Sequence, residues 1–457
     1  MGMSRTRHVS PVSVVLTFRA GRIRWALIRG STRRTADEGN ANTWDCRLLF
    51  RYGATENGII EKKAHIYTQS EHGIDPRLVD PDAMWVVRGL RKEGFHVYIV
   101  GGAVRDLIAG RVPNDFDVAT DAHPQQIRRV FRSARIIGRR FRLVHVYCGR
   151  EKYIEVSTFR SRGAVGTADN ADSRDQNNLF GTMEEDAERR DFTINALYYC
   201  PVDKQVIDYV GGFQDIQRRR LRTLGSSESS FAEDPVRMIR AVKYASLLGF
   251  PIPLAMAGLI RRMRGSILTC SRERVTEEVY KILSSGFAAD ILALSHRLRL
   301  FEVIFPRLAE THRESRRKFD EHPLGQRLKE LDARAREGKI LPRNDMFGFL
   351  FRDLVLQKKD LFEGLAPSLP IQQFIRSAAE PLFPSKKDLA IAADALLKEA
   401  RPLHRPRPLP AGRGHGGRQD HGTGIQGTGQ RRRRRRRGRG RRPGPGPGQG
   451  SSPLQKP

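Results

Sequence analysis

Cysteine is scarce in this chain of 457 residues, and its few cysteines are far apart. The four of them, Cys46, Cys148, Cys200 and Cys270, are each separated from the next by more than fifty residues, and no Cys-x-x-Cys pair occurs. A zinc ribbon, an iron–sulfur cluster and a disulfide framework all need closely spaced cysteines. None of these three is therefore expected.

Long hydrophobic runs are also missing. No apolar stretch approaches the roughly 18 residues that a membrane-spanning helix requires, so we do not expect an integral membrane protein. Residues 11–18 are apolar enough to imitate the core of a signal peptide, but Arg19 interrupts them and no cleavage site of small residues follows. We accordingly expect a cytoplasmic protein.

Acidic residues are too few to balance the basic ones. Lys and Arg outnumber Asp and Glu by 82 to 51, which gives a formal net charge of +31. Residues 401–457 hold sixteen basic residues and one acid, and residues 1–50 hold nine basic residues and three acids. Such a surplus predicts a polyanionic partner, most simply nucleic acid, with an acidic membrane surface as the alternative.

The two ends of the chain have the composition of disordered segments. Residues 431–437 are consecutive arginines, followed by Gly-Arg and Pro-Gly repeats. Because so little apolar surface cannot offset the entropy of ordering, we expect residues 401–457 to form a disordered tail that binds RNA through its phosphates. The alternative is a tail that only aids solubility. Residues 1–66 are interpreted as a basic, unstructured extension.

The middle of the chain divides into a mixed head and a helical remainder. Alternating or short apolar segments predict strands over residues 97–100, 115–119, 143–147, 153–158, 196–199 and 206–209. Capping signals and helical spacing predict helices over residues 81–93, 103–109, 124–132, 235–248, 273–283, 288–301 and 385–400. We predict an α+β fold with a head at 67–215, a helical neck at 216–285 and a helical body at 286–400.

The strongest chemical signal is Asp115-Phe116-Asp117. A period of two places both carboxylates on one face of a strand, with Phe116 towards the core. Two adjacent carboxylates repel unless a cation lies between them, and hard oxygen ligands suit Mg²⁺ and phosphoryl transfer. Taken alone, such a pair is more often a turn or a solvated face.

Three neighbouring features support this interpretation. Gly101-Gly102 ends a strand and opens a helix that carries Arg105, which suits a phosphate, although neither a Rossmann nor a P-loop pattern is present. Glu155 lies on the strand predicted at 153–158, on the face opposite to Ile154 and Val156, and could complete a metal site or accept a proton. Arg190 could clamp a triphosphate, with Asp191 beside it. The plain alternatives are a tight turn, an edge-strand charge and an ion pair at a helix end.

The helix that begins at Pro235 carries a charged ridge. Asp234, Arg237, Arg240 and Lys243 are spaced by three residues and therefore lie side by side. An acceptor next to a donor can recognise one base edge, while the following cations face phosphates. The alternative is an exposed charged helix face.

Four ordered motifs together resemble the class II nucleotidyltransferases, the group of bacterial poly(A) polymerases and CCA-adding tRNA nucleotidyltransferases. They are residues 99–106, 115–117, 189–196 and 233–241, and the resemblance covers about residues 70–400. It implies a nucleotidyltransferase-type head, a helical neck and body, two Mg²⁺ ions, and template-independent addition of nucleotides to RNA 3′ ends.

The resemblance also implies a role for individual residues. Asp115 and Asp117 would be the metal ligands. Catalysis is assigned to Asp115, Asp117, Glu155 and Asp191, and nucleotide binding to Gly101, Gly102, Arg105, Arg190, Asn195, Asp234, Arg237, Arg240 and Lys243. Among the latter, Asp234 and Arg237 would pair with the base. Lys243 stands where the family commonly has an arginine.

The branch of the family is indicated by residues outside these motifs. Residues 136–146, 300–301 and 304–306 resemble poly(A) polymerases, whereas residues 273–275 resemble a helix of CCA-adding enzymes. We predict transfer of AMP from ATP to RNA 3′ ends, with ATP and RNA as partners and no membrane partner. The alternatives are a CCA-adding enzyme and a catalytically inactive RNA-binding or scaffold protein.

Overall fold

The computed structural model describes residues 60–400, with gaps at 139–141, 150–151, 162–179, 316 and 363–366, and three strands closer to the N-terminus. The head, neck and body belong to one compact unit. The tail at 401–457, and the prediction made for it, lie outside the described residues. Within those residues, no helix has the length and apolar character needed to cross a membrane.

A mixed sheet forms the head. In the described part of the chain its strands are β3 (Leu49–Ala54), β4 (Ile60–Thr68), β5 (Val97–Val100), β6 (Asp117–Thr120), β7 (Ala134–Ile137), β8 (Leu143–Tyr147), β9 (Tyr153–Thr158), β10 (Leu197–Cys200) and β11 (Gln205–Asp208). Their order is β3-β4-β11-β10-β5-β6-β9-β8-β7, and β6 pairs with β9 in parallel. Two further strands, β1 (Val14–Arg19) and β2 (Arg22–Leu27), pair with each other.

Helices cover the sheet and continue from it. Those of the head are α1 (Gln69–His72), α2 (Pro81–Lys92), α3 (Gly102–Ile108), α4 (Pro124–Val130), α5 (Met183–Glu188) and α6 (Gly212–Gln217). Those of the neck are α7 (Ser227–Glu233), α8 (Val236–Leu248), α9 (Leu254–Met263) and α10 (Arg272–Leu283). The body contains α11 (Ala288–Arg297), α12 (Phe301–Ile304), α13 (Pro306–Ser315), α14 (Pro323–Arg336), α15 (Met346–Leu356), α16 (Ser368–Ala378) and α17 (Lys386–Ala400).

Both faces of the sheet bury apolar side chains. In β5, Val97 and Ile99 join a core that continues through the neck into the body, whereas Tyr98 and Val100 join a smaller core on the other face. Alternation along a strand produces this division. One apolar core therefore runs through head, neck and body.

Local sequence signals account for several of these boundaries. Asp80 caps α2 by accepting hydrogen bonds from the backbone N–H groups of Asp82 and Ala83, as the Asp-Pro pair predicts. The strands predicted at 97–100, 143–147 and 153–158 are confirmed. The helix predicted at 288–301 is instead two helices, because Arg299 adopts a left-handed conformation with φ of 62°.

Two expectations about the head are wrong. Residues 1–66, expected to be unstructured, contain β1 to β3 and most of β4, so the sheet begins before residue 67. The charged residues of β4 obscure its strand character, but it pairs along β11 and buries Ala64 and Tyr67. In addition, β6 begins at Asp117, so Asp115 lies in the preceding loop rather than on the strand.

Candidate active site

The turn between β5 and α3 forms one wall of a cavity. Gly101 has a φ of 70°, a conformation that favours glycine, and a Cβ atom there would lie 3.4 Å from Nη1 of Arg190. Arg105, one turn into α3, is buried, donates to Asp106, and donates through Nη1 to Oδ1 of Asn195 at 2.7 Å. The backbone turn and two guanidinium groups therefore meet at one place.

Three carboxylates lie near one another at the start of β6. The parallel pairing of β6 with β9 places Asp117 directly beside Glu155, and Asp115 reaches the same place because Phe116 is buried between the two aspartates. Solvent reaches Asp117 through the cavity, yet the surrounding protein, Glu155 and Asp115 raise the pKa of Asp117 to about 7. Nε2 of His145 lies 3.6 Å from Glu155.

This set of donors fits Mg²⁺. Asp115 and Asp117 supply carboxylate oxygens, and Mg²⁺ usually takes one or two carboxylates together with waters and substrate phosphates. Across the described residues, no group of three or more His, Cys, Asp or Glu side chains is arranged around a common metal position. The other ligands would therefore come from the phosphates and from water.

Arg190 and Asp191 follow α5 and are held by different partners. Nη2 of Arg190 donates to Asp186 at 3.0 Å, and its guanidinium lies 5.2 Å from the ring centre of Tyr198. Asp191 accepts hydrogen bonds from Nδ2 of Asn195 at 3.0 Å and from Nε of Arg240 at 2.7 Å. Burial favours the neutral carboxyl, but Arg240 and these hydrogen bonds outweigh it and lower the pKa of Asp191.

Asp234 and Arg237, the first half of the charged ridge, line the cavity and also bind neighbouring side chains. Oδ2 of Asp234 accepts from Arg274 at 2.7 Å, and Nη1 of Arg237 donates to Glu233 at 2.8 Å and to Oγ of Ser230 at 3.0 Å. The Arg274 side chain is 57% exposed, so its bond to Asp234 exchanges readily with water or a ligand. Base pairing by Asp234 and Arg237 stays a prediction.

The second half of the ridge, Arg240 and Lys243, is paired with carboxylates of the head and neck rather than left free in solvent. Arg240 joins Asp191 of the head to Glu278 of α10, and Nζ of Lys243 donates to the same Glu278. Burial raises the pKa of Glu278, but Lys243 and Arg240 outweigh it and hold that pKa below its usual range. The four side chains form a chain of ion pairs from head to neck, which we call the head–neck ion chain: Asp191, Arg240, Glu278 and Lys243.

One cavity of about 640 Å³ collects nearly all the predicted residues. Glu155 is the exception, since it pairs with Asp117 across β6 and β9 but does not line the cavity. The predicted residues on the wall are Gly101, Gly102, Arg105, Asp115, Asp117, Arg190, Asp191, Asn195, Asp234, Arg237, Arg240 and Lys243. The side chains that sequence reasoning selected from separate motifs thus share one enclosure.

Sequence reasoning missed a second group of wall residues. Arg111, Val112, Lys281, Ser284 and Ser285 also line the cavity. Lys281 lies more than 160 residues after Asp117, in a helix from which the motifs select no site residue. None of these residues belongs to a motif with its own chemical signature. Their place on the cavity wall is therefore seen only in the three-dimensional structure.

Comparisons with known proteins find similarity over the head and over part of the neck and body. A family model described as the poly A polymerase head domain matches residues 97–222, and one described as a probable RNA and SrmB-binding site of polymerase A matches residues 249–311. Over 303 residues the chain is 40% identical to poly(A) polymerase I of Salmonella typhi, covering 65% of either chain. The match thus spans somewhat less than two thirds of that relative's length.

Proteins of the second branch are also similar. The CCA-adding enzyme of Geobacillus thermodenitrificans is 37% identical over 232 residues, which cover 50% of this chain and 55% of that one. A crystal structure of the Bacillus stearothermophilus CCA-adding enzyme in complex with CTP aligns with 71% of this chain and 84% of that one, at 27% identity and a TM-score of 0.42.

Proposed function

From the similarity of its head to the poly A polymerase head domain, we propose that this protein transfers AMP from ATP to RNA 3′ ends without a nucleic-acid template, as a poly(A) polymerase. The observation that carries the proposal is the shared cavity. Its walls bring the Asp115–Asp117 carboxylates, the Gly101–Gly102 turn and the Asp234–Arg237 pair around one space. A metal, a triphosphate and a base each find the chemistry that they require there.

The carboxylates and the turn would act on the phosphates. Asp115 and Asp117 would hold two Mg²⁺ ions, which supply charge neutralisation at the phosphates and a more acidic attacking hydroxyl when bound. Arg105 and Arg190 would hold the triphosphate beside Gly102. A phosphate that binds either arginine exchanges with that arginine's present carboxylate partner, Asp106 or Asp186.

The reaction is an in-line displacement at the α-phosphorus. The 3′ oxygen of the RNA forms a bond to this phosphorus while the bond to the bridging β-phosphate oxygen breaks, and pyrophosphate leaves with the electron pair. The hydroxyl proton passes to a base. Glu155, directly beside Asp117, is assigned either to this base or to a third metal ligand.

The Asp234–Arg237 pair would select the base. An aspartate accepts from an exocyclic amino group, and an arginine donates to a ring nitrogen, so the pair matches an edge with one donor and one acceptor. Adenine offers such an edge. Their present partners, Arg274 and Glu233, are about half exposed and can turn into solvent when a base takes their place.

CCA addition is the second candidate. It is favoured by the 37% identity to a CCA-adding enzyme and by the resemblance of residues 273–275 to a helix of that branch. Against it stand the higher identity to poly(A) polymerases and the resemblance of residues 136–146 to their loop and strand, of which residues 139–141 lie outside the described part. A third candidate, an inactive RNA-binding protein, is disfavoured by the intact Asp115, Asp117 and Arg190.

The decisive experiment offers ATP, CTP, or both to an unstructured RNA and to a tRNA that lacks its 3′ end. Long tails of A alone, formed only with magnesium, support the poly(A) polymerase. A three-nucleotide addition that stops by itself supports the CCA-adding enzyme. RNA binding without any incorporation supports the inactive protein.

A further inference from the structure

Seven cationic side chains line the cavity in the described part of the chain, and six of them already bind a protein oxygen. Arg105, Arg190, Arg237, Arg240 and Lys243 each bind a carboxylate, and Arg111 donates to the backbone carbonyl of Leu247. Lys281 is the seventh. It has no such partner among the described residues, although it is exposed and acts electrostatically on Asp117.

The position of Lys281 separates it from the residues assigned to the nucleotide. It lies in the last turn of α10, and Ser284 and Ser285 directly after that helix line the same stretch of wall. Arg111 and Val112, from the loop after α3, line the cavity as well, and Val112 is 73% exposed. We call these five residues the unassigned wall. It offers a cation without a protein partner among the described residues, two hydroxyl oxygens that can still accept while their protons are donated to backbone carbonyls, and an apolar surface.

We infer that the unassigned wall binds the 3′-terminal nucleotide of the RNA acceptor and that Lys281 contacts the phosphate of this nucleotide. The inference rests on the proposed function, because transfer requires an acceptor end beside Asp117 in addition to the triphosphate. A phosphate that approaches Lys281 displaces no protein carboxylate, whereas one that approaches Arg105 or Arg190 does. The apolar side chain of Val112 suits a sugar or base face.

The test measures binding of a 5′-labelled ApApA trinucleotide to the full-length protein without ATP, since an acceptor this short reports mainly on the cavity. We expect Lys281→Met to weaken binding about tenfold and to reduce the logarithmic salt slope by roughly 0.7, the loss of one single-strand phosphate contact. Lys281→Arg should retain both. ATP affinity, measured separately, should stay unchanged in Lys281→Met.

Arg272→Met is the matched control. Arg272 is an exposed, unpaired cation in the first turn of the same helix, outside the cavity, among the residues that the structure describes. Its substitution removes the same charge and should leave trinucleotide binding unchanged. An equal loss in both variants would overturn the inference, since it would show a general effect of charge.

Two further results would also overturn it. If Lys281→Met binds the trinucleotide as tightly as the wild type, Lys281 does not contact its phosphate. If Lys281→Met loses more affinity for ATP than for the trinucleotide, Lys281 binds the triphosphate instead. Failure of the proposed function has a different signature. In that case the wild-type protein transfers no AMP, whereas trinucleotide binding still depends on Lys281.

Discussion

Glu278→Gln is expected to lower the free energy of unfolding by about 3 kcal/mol. Glu278 is buried and is shared by Lys243 and Arg240, so the uncharged amide leaves a buried lysine without its counter-charge. Breaking a buried ion pair from one side costs about 3–5 kcal/mol. The lower end applies because the amide oxygen still accepts a hydrogen bond and Arg240 keeps Asp191.

Chemical denaturation of the full-length protein measures this loss, and Glu277→Gln provides the control. Glu277 is the adjacent residue of α10 and pairs with Arg343 at 2.7 Å, but both side chains are about half exposed. Exposed pairs contribute about 0–1 kcal/mol. A loss for Glu278→Gln no larger than that for Glu277→Gln would refute the account of the head–neck ion chain.

The same comparison predicts a pH dependence. The pKa of Glu278 is lower in the folded protein than its ordinary value of 4.5, so its stabilisation is fully present above that pH and is lost as the pH falls through the lowered value. Glutamine does not titrate. The difference in stability between the wild type and Glu278→Gln should therefore shrink below about pH 4.5.

Three further predictions concern the cavity and the tail. Asp115→Ala or Asp117→Ala should abolish nucleotide transfer in a labelled-ATP assay while RNA binding is kept. Thermal stability should be unchanged or slightly raised, because a repelling carboxylate is gone. Activity above about a tenth of the wild-type value in both variants would contradict the metal assignment. Arg237→Ala should relax base choice by about 1–3 kcal/mol in nucleotide competition, whereas an unchanged preference would place Arg237 elsewhere. Truncation after Ala400 removes a charge of +15 and should weaken RNA binding and flatten its salt dependence while turnover at saturating RNA survives. An unchanged salt slope would make the tail a bystander.

Much of the site could be predicted because its signals are local. The alternation of residues 153–158 predicts that Glu155 lies on the strand face opposite to Ile154 and Val156, and the structure confirms this pattern. The Gly101–Gly102 turn follows from a strand that ends where a helix begins. In each of these places, residues close in sequence determine the geometry that carries the prediction.

The features that the sequence does not predict depend on contacts between residues far apart in the chain. Asp191 and Arg240 are 49 residues apart, and Arg240 and Glu278 are 38 apart, so the sequence shows their charges but not their pairing. A ridge spaced by three looks the same whether it faces water or another helix. Strand β7 is likewise not predicted from the sequence. It is an edge strand of only four residues, and its pairing with β8 defines it.

The head–neck ion chain has a consequence for how substrates are compared. Helix α8 carries both Arg240, which is fastened to Asp191 of the head, and Arg237, which faces the proposed base position. Because Arg237 and Arg240 lie one turn apart on the same helix, this ion pair helps to set the span between the proposed base-reading side chains and the proposed metal ligands. Under the proposed function, selection of a nucleotide then depends on the distance between its base and its α-phosphate as well as on hydrogen bonding to the base. A pyrimidine held by the same two side chains would draw its own α-phosphate away from Asp117, so fidelity would appear in the rate of transfer more than in affinity.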